Sequence, residues 1–273
     1  MDKVLLIGRG GPSFFLVANK LIENKDFEFV ICVEKGRSAR VAKLRRLLRG
    51  SVGSKVRAFL VSIPLLFLFN GAQELAMFGI WKKPKQPPTQ LSVDDVNDPQ
   101  LAQFLSATTV DIVFNFGSNL YTARTLANIR QPIVNLHTGI LPAYRNVHSD
   151  FWAYLNNDLS GMGVTAFFLE EGIDSGPQLL AKAVNAKISD RLWTIKLKNL
   201  DLVVACILEI LSDSRLIAPV GSANTLLGSV PDTNKPGKMW PNPGPRDILK
   251  YVWLEIMRRR EILKEEKSAF NPQ

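Results

Sequence analysis

Apolar residues along this chain concentrate in short runs separated by stretches of helical spacing. The runs at residues 4–7, 27–33, 110–116 and 131–134 are each of strand length. A strand buried on both faces shows no polar alternation, so such runs read as central strands of a parallel sheet. Residues 14–23, 100–106, 122–129 and 190–211 carry apolar side chains at helical spacing. Asp98-Pro99 supplies a start signal for the second of these, and the last is apolar at Leu192, Ile195, Leu202, Cys206 and Leu211. Residues 163–169 read as one more strand and 248–263 as a closing amphipathic helix. Strands alternating with helices predict an α/β fold: a Rossmann-like, mostly parallel sheet with helices on both faces and its site at the strand carboxyl ends.

Two stretches interrupt this alternation. Residues 36–92 read as a helical insertion. Its first part, 40–49, sets Val41, Leu44, Leu47 and Leu48 against Arg40, Lys43, Arg46 and Arg49. Its second part, 59–69, is strongly apolar, is broken at Pro64, and is too short for the roughly 20 residues that a bilayer span needs. Residues 82–88, KKPKQPP, end it as a stiff linker. Residues 219–245 are rich in Gly and Pro and read as loop and hairpin. The expected division is one domain over 1–215 and a C-terminal extension of loop, hairpin and helix over 216–273.

Charge sharpens the reading of the insertion. The net charge is +9, and residues 35–57 hold many Lys and Arg with no acid at all. Such a run fits a phosphate, nucleic acid or anionic membrane neighbour, and equally a solvated basic face. The insertion is therefore either a flap packed on the core or an interfacial element touching lipid. Cys32 and Cys206 both sit in apolar runs, which points away from a disulfide framework, and His137 and His148 are too few for a zinc site. The N-terminus runs straight into a core strand without a basic leader, so a cytoplasmic location is expected.

The candidate chemistry lies at strand ends. Gly8-Arg9-Gly10-Gly11-Pro12-Ser13 links the first strand to the first helix. Gly10 and Gly11 are candidates to hold an anionic part of a substrate through main-chain N–H groups, although Pro12 removes one donor; the alternative is a plain turn. After residues 131–134 come Asn135 and His137, two apart on an extended backbone and so on one face. The chain then turns through 139–142, passes Tyr144-Arg145 and the helical spacing of Phe151, Trp152, Tyr154 and Leu155, and returns at Glu171-Gly172-Ile173-Asp174-Ser175-Gly176. This layout can bring Asp174 beside His137. An amide, an imidazole and a carboxylate are what acyl transfer to an amine needs: an oxyanion donor, a proton acceptor and a group that steadies the imidazolium. His148 either lines an acceptor pocket beside Tyr144 and Arg145 or is a turn histidine.

Asn135-Leu136-His137, residues 141–145 (LPAYR), Gly163-Val164-Thr165 and residues 171–176 (EGIDSG), in this order and spacing, resemble the 10-formyltetrahydrofolate-dependent formyltransferase family. The resemblance is dense over 110–180. It implies the formyltransferase fold, a catalytic set of Asn135, His137 and Asp174, and 10-formyltetrahydrofolate as co-substrate. The pterin would sit between Ser118, Asn119, Leu120 and Tyr121 on one side and Glu170, Glu171, Gly172 and Ile173 on the other. Tyr144, Arg145, His148, Gly10 and Gly11 would meet the acceptor. Two departures stand out: Asn146 where the family usually has glycine, and Phe167 where several members carry histidine. The β-barrel domain of methionyl-tRNA formyltransferases has no counterpart in the expected tail, so no nucleic acid partner is expected. The expected acceptor is a small-molecule primary amine, first a nucleotide-linked amino sugar. The alternatives are an aminoacyl or ribonucleotide amine, or a non-catalytic folate-binding or membrane-associated module. Peripheral membrane contact and a homodimer remain open on this reading.

Overall fold

The computed structural model describes residues 3–35, 63–79, 82–213 and 237–270. The basic segment 40–49 lies outside them, as does most of 219–245. The elements in chain order are β1 (Lys3–Arg9), α1 (Pro12–Ile22), β2 (Glu28–Glu34), α2 (Ile63–Phe78), β3 (Leu91–Val93), α3 (Pro99–Ala107) and β4 (Ile112–Phe116). There follow α4 (Ala123–Asn128), β5 (Ile133–His137), α5 (Ser149–Leu155), β6 (Gly163–Phe168), β7 (Gln178–Ala183), α6 (Leu192–Ser212) and α7 (Pro245–Phe270).

The seven strands form one sheet in the order β3-β2-β1-β4-β5-β6-β7. The first five are parallel; β6 and β7 join antiparallel to β5 and to each other. Alternate residues of β1 and β2 enter two cores. Val4, Leu6, Phe29 and Ile31 pack with α1 and α6, while Leu5, Ile7, Val30 and Cys32 pack with α3 and α4. The largely apolar runs are thus explained by helices on both faces, the arrangement the alternation predicts. A third cluster joins Phe69 of α2, Phe151, Trp152 and Tyr154 of α5, and Ile248 and Tyr251 of α7.

Several local features follow from chemistry visible in the sequence. Asp98 caps α3, its carboxylate accepting from the Gln100 N–H at 3.0 Å. The sheet resumes at Leu91, because β3 pairs with β2 through Cys32, Val33 and Glu34. Strands β3 and β7 lack a strong apolar run and were not expected from periodicity. Cys32 and Cys206 are buried free thiols, each pushed up to about 12 by burial. No helix among the described residues is long and apolar enough to cross a membrane.

Sheet order reverses between β1 and β4, since β2 lies on one side of β1 and β4 on the other. In an open parallel sheet this reversal opens a crevice at the carboxyl ends of the strands. The chain leaves β1 at Arg9, β4 at Phe116 and β5 at His137, so all three exits converge there.

Candidate functional site

A cleft of about 350 Å³ opens at this edge. Its walls are residues 115–121 from the end of β4, 135–138 from the end of β5, Asn146, Val147 and His148, and Leu169, Glu170, Gly172, Ile173 and Asp174. The structure therefore brings Asn135, His137 and Asp174 into one cavity with Ser118, Asn119, Leu120, Tyr121, Glu170, Gly172, Ile173 and His148. Glu171 is exposed and does not line it.

Strand register places the two strand-end groups. Asn115 on β4 lies beside Asn135 on β5, and its Nδ2 donates to the Asn135 Oδ1 at 2.6 Å. The Tyr121 hydroxyl in turn donates to Asn115 Oδ1 at 3.3 Å. Burial holds the Tyr121 phenol far above its ordinary pKa, so it stays a proton donor in this chain. With its carbonyl oxygen engaged, the Asn135 amide presents its Nδ2 as donor to the cleft.

His137 is fixed from behind. Its Nε2 lies 2.7 Å from the Tyr144 carbonyl and 3.0 Å from Ser149 Oγ. A carbonyl only accepts, so Nε2 carries the hydrogen and the neutral ring keeps its lone pair on Nδ1. Nδ1 lies 3.7 Å from Asp174 Oδ2, with both side chains about nine-tenths buried. That spacing is an ion pair once the ring is protonated. Gly139 is required by the close approach: a Cβ there would stand 2.6 Å from Ser149 Cβ and 3.0 Å from His137 Nε2. Thr165, paired with His137 across β5 and β6, accepts from the Leu141 N–H and donates to the Gly139 carbonyl, which secures the turn.

Asp174 is positioned by the loop that follows this turn. The Asn146 N–H donates to Asp174 Oδ2 at 2.6 Å, and the Arg145 guanidinium donates to the Ile173 carbonyl, through Nε at 3.2 Å and through Nη2. Asn146 has φ of 78°, a conformation asparagine tolerates far better than most side chains, so it serves where the family usually has glycine. Asp174 itself has φ of 49°.

Tyr144 and Arg145 are placed behind the wall and line neither cavity. Tyr144 is buried, stacks on Trp240 at 5.7 Å, and donates to Asp158. Trp240 also stacks on Trp152 at 4.9 Å and donates to the Ala143 carbonyl through its indole and to the Arg145 carbonyl through its main chain, while the Arg145 N–H donates to the Lys238 carbonyl. The tail thus clamps the loop that carries the Tyr144 carbonyl. Phe167 is buried beside Asn135 and lines neither cavity.

Asn119 is bound from several sides. It accepts from Arg9 and donates to both Glu34 oxygens, through its main chain at 2.9 Å and through its side chain. Burial pushes the Glu34 carboxyl above its ordinary value, opposed by the Asn119 N–H and by Arg9. A second chamber of about 380 Å³ adjoins the cleft and shares Phe116, Gly117 and Thr138 with it. Gly11 lines this chamber, whereas Gly10 faces neither cavity and spends its N–H on the Glu34 carbonyl at 3.2 Å.

Sequence reasoning missed Asn115, Ser149 and the Tyr144 carbonyl. A signal existed for Asn115, an amide inside an otherwise apolar strand. None existed for the carbonyl, which any residue supplies.

The formyl transferase family model matches residues 68–211. A methionyl-tRNA formyltransferase of Chlorobium chlorochromatii is 30% identical over 131 residues, covering 46% of this chain and 41% of its own length. One from Nitratiruptor is 25% identical over 171 residues, covering 54% and 56%. This chain therefore spans between two-fifths and three-fifths of these relatives. A solved 4-N formyltransferase from Francisella tularensis is 13% identical with a TM-score of 0.49, covering 78% of this chain and 68% of that one.

Proposed function

The chain belongs to the formyl transferase family, and on that premise we propose that its cleft moves a formyl group from 10-formyltetrahydrofolate to a primary amine. The observation that carries the reading is the meeting of Asn135, His137 and Asp174 at one rim, with the His137 lone pair turned toward Asp174. Packing alone asks for no such trio.

The cleft fits the co-substrate by its chemistry. Main chain from Gly117 to Tyr121 and from Glu170 to Ile173 offers donors and acceptors to a flat heterocycle, and Leu120, Leu169 and Ile173 offer apolar contact. The co-substrate supplies an activated formyl carbon. Asn135 Nδ2 donates to the formyl oxygen as negative charge gathers there. His137 Nδ1 takes a proton from the attacking amine as the new C–N bond forms. Asp174 holds the resulting imidazolium by charge, and the Tyr144 carbonyl and Ser149 keep the ring from turning. The proton then passes to the folate nitrogen as its bond to the formyl carbon breaks, leaving a formamide and tetrahydrofolate.

The acceptor we infer is a small molecule, first a nucleotide-linked amino sugar. The test is incubation with 10-formyltetrahydrofolate and a panel of amines that includes amino sugars, glycinamide ribonucleotide and aminoacyl compounds. Amine-dependent tetrahydrofolate release is expected, lost in Asn135→Ala, His137→Ala and Asp174→Ala; release with none of the panel, or wild-type rates in any of the three, contradicts the reading.

A further inference from the structure

The second chamber draws most of its lining from the glycine-rich turn and from two helices, α2 and α6, and closes against the ends of β4 and β5 and the start of α5. Arg9, Gly11, Pro12 and Ser13 come from the end of β1 and start of α1. Asn70, Gln73, Glu74 and Met77 come from α2, and Lys196, Asn199 and Leu200 from α6. Two of these side chains are anomalous. Asn199 is 1% exposed, and among the described residues neither its Oδ1 nor its Nδ2 has a hydrogen-bond partner. Gln73 is 6% exposed; its Nε2 donates to the Tyr251 hydroxyl at 3.1 Å, but its Oε1 has no partner. A buried polar atom left unpaired is costly, so groups of this kind persist where something else completes them. Both line one cavity.

The charges in the same walls are already answered. Lys196 pairs with Asp150 at 3.6 Å, Glu74 with Lys83 at 2.5 Å, and Arg9 lies against Asn119 in the field of Glu34. At the helix start Gly10 has spent its N–H and Pro12 has none, so fewer main-chain donors are left there for an anion. What remains unmatched is neutral: one full carboxamide that both donates and accepts, and one amide carbonyl that accepts. A hydroxyl group does both and matches each.

We propose that this chamber holds the hydroxyl-bearing part of the acceptor, that Asn199 and Gln73 are the residues that select it, and that the acceptor is a carbohydrate amine read by its hydroxyls. The inference rests on the formyl-transfer reading for its reaction but not for its binding. The shared wall at Thr138, next in sequence to His137, lets an amine on the held sugar reach the ring nitrogen. The part of the insertion that forms α2 thereby becomes a specificity element.

The test uses the full chain with dTDP-, UDP- and GDP-linked aminodeoxyhexoses, and the same sugars bearing a hydroxyl in place of the amine. Asn199→Leu, which keeps the branching and number of side-chain heavy atoms, removes two unpaired buried polar atoms and is expected to leave unliganded thermal stability unchanged or raised. It is expected to raise the acceptor KM about tenfold or more, with kcat and the affinity for 5-formyltetrahydrofolate within about twofold. Calorimetric binding of the amine-free sugar is expected in the wild type and lost in Asn199→Leu, with Gln73→Leu giving a weaker loss. Asn199→Leu with wild-type KM, or a wild type that binds none of these sugars, overturns the proposal. Sugar binding that Asn199→Leu abolishes, without turnover of any amine, sinks the catalytic reading alone.

Discussion

His137 is held at Nε2 and faces Asp174 through Nδ1, and each of its neighbours makes a separable prediction. Removing the ring removes the base, so His137→Ala is expected to lower kcat by about 10²- to 10⁴-fold. Asn135→Ala removes the oxyanion donor and is expected to cost about 10²- to 10³-fold. Asn115→Leu leaves Asn135, His137 and Asp174 themselves in place, yet it frees the Asn135 amide to turn over. The expected result is a fall in kcat of about tenfold or more with donor affinity unchanged, and steady-state kinetics beside 5-formyltetrahydrofolate binding read it. A KM effect without a kcat effect would place Asn115 elsewhere. Gly139→Ala pushes a methyl against Ser149 and His137 Nε2, and kcat is expected to fall while overall circular dichroism stays native.

At the scale of elements, the tail and the catalytic loop stand or fall together. Trp240 is stacked between Tyr144 and Trp152 and donates to the Ala143 carbonyl, so Trp240→Ala loosens the loop that holds both the Tyr144 carbonyl and Asn146. Denaturant unfolding is expected to show a loss on the order of 3 kcal/mol, with kcat falling alongside. A stable variant with full activity would detach the tail from the site. Strands β1, β2, β4 and β5 and helices α1, α3, α4 and α6 were legible because burial on both faces and helical spacing leave strong patterns. Strands β3 and β7 were not, since three edge residues and a mixed polar run leave almost none. Asn135 and His137 were legible from two-residue alternation at a strand end. Their supports were hidden because Ser149 and a main-chain carbonyl reach the ring only through a turn. Tyr144 and Arg145 carry the family pattern, but stacking and a backbone contact spend them on scaffold instead of on a ligand.

For the whole molecule, the buried Glu34 ties β2 to the cleft and makes stability depend on pH. Burial first, then the Asp95 charge, raises its carboxyl, against the Asn119 N–H and Arg9. The folded chain then holds the proton more tightly than the unfolded chain. Stability linked to this group is present below the ordinary carboxylate range and is lost as pH rises through the folded value. Glu34→Gln is expected to flatten that descent in urea unfolding as pH rises from the ordinary carboxylate range; an unchanged slope would show that this group does not carry the linkage. On the proposals made here, the two cavities at the sheet's reversal give the molecule one place for chemistry and one for selection. The central claim is tested most directly by following a ¹³C-labelled formyl carbon of 10-formyltetrahydrofolate by NMR in a single turnover with an amino-sugar acceptor. The account predicts that the label appears as a formamide with the wild type and stays on the donor with His137→Ala. Label recovered as formate, or as formamide at the same rate without the imidazole, would contradict it.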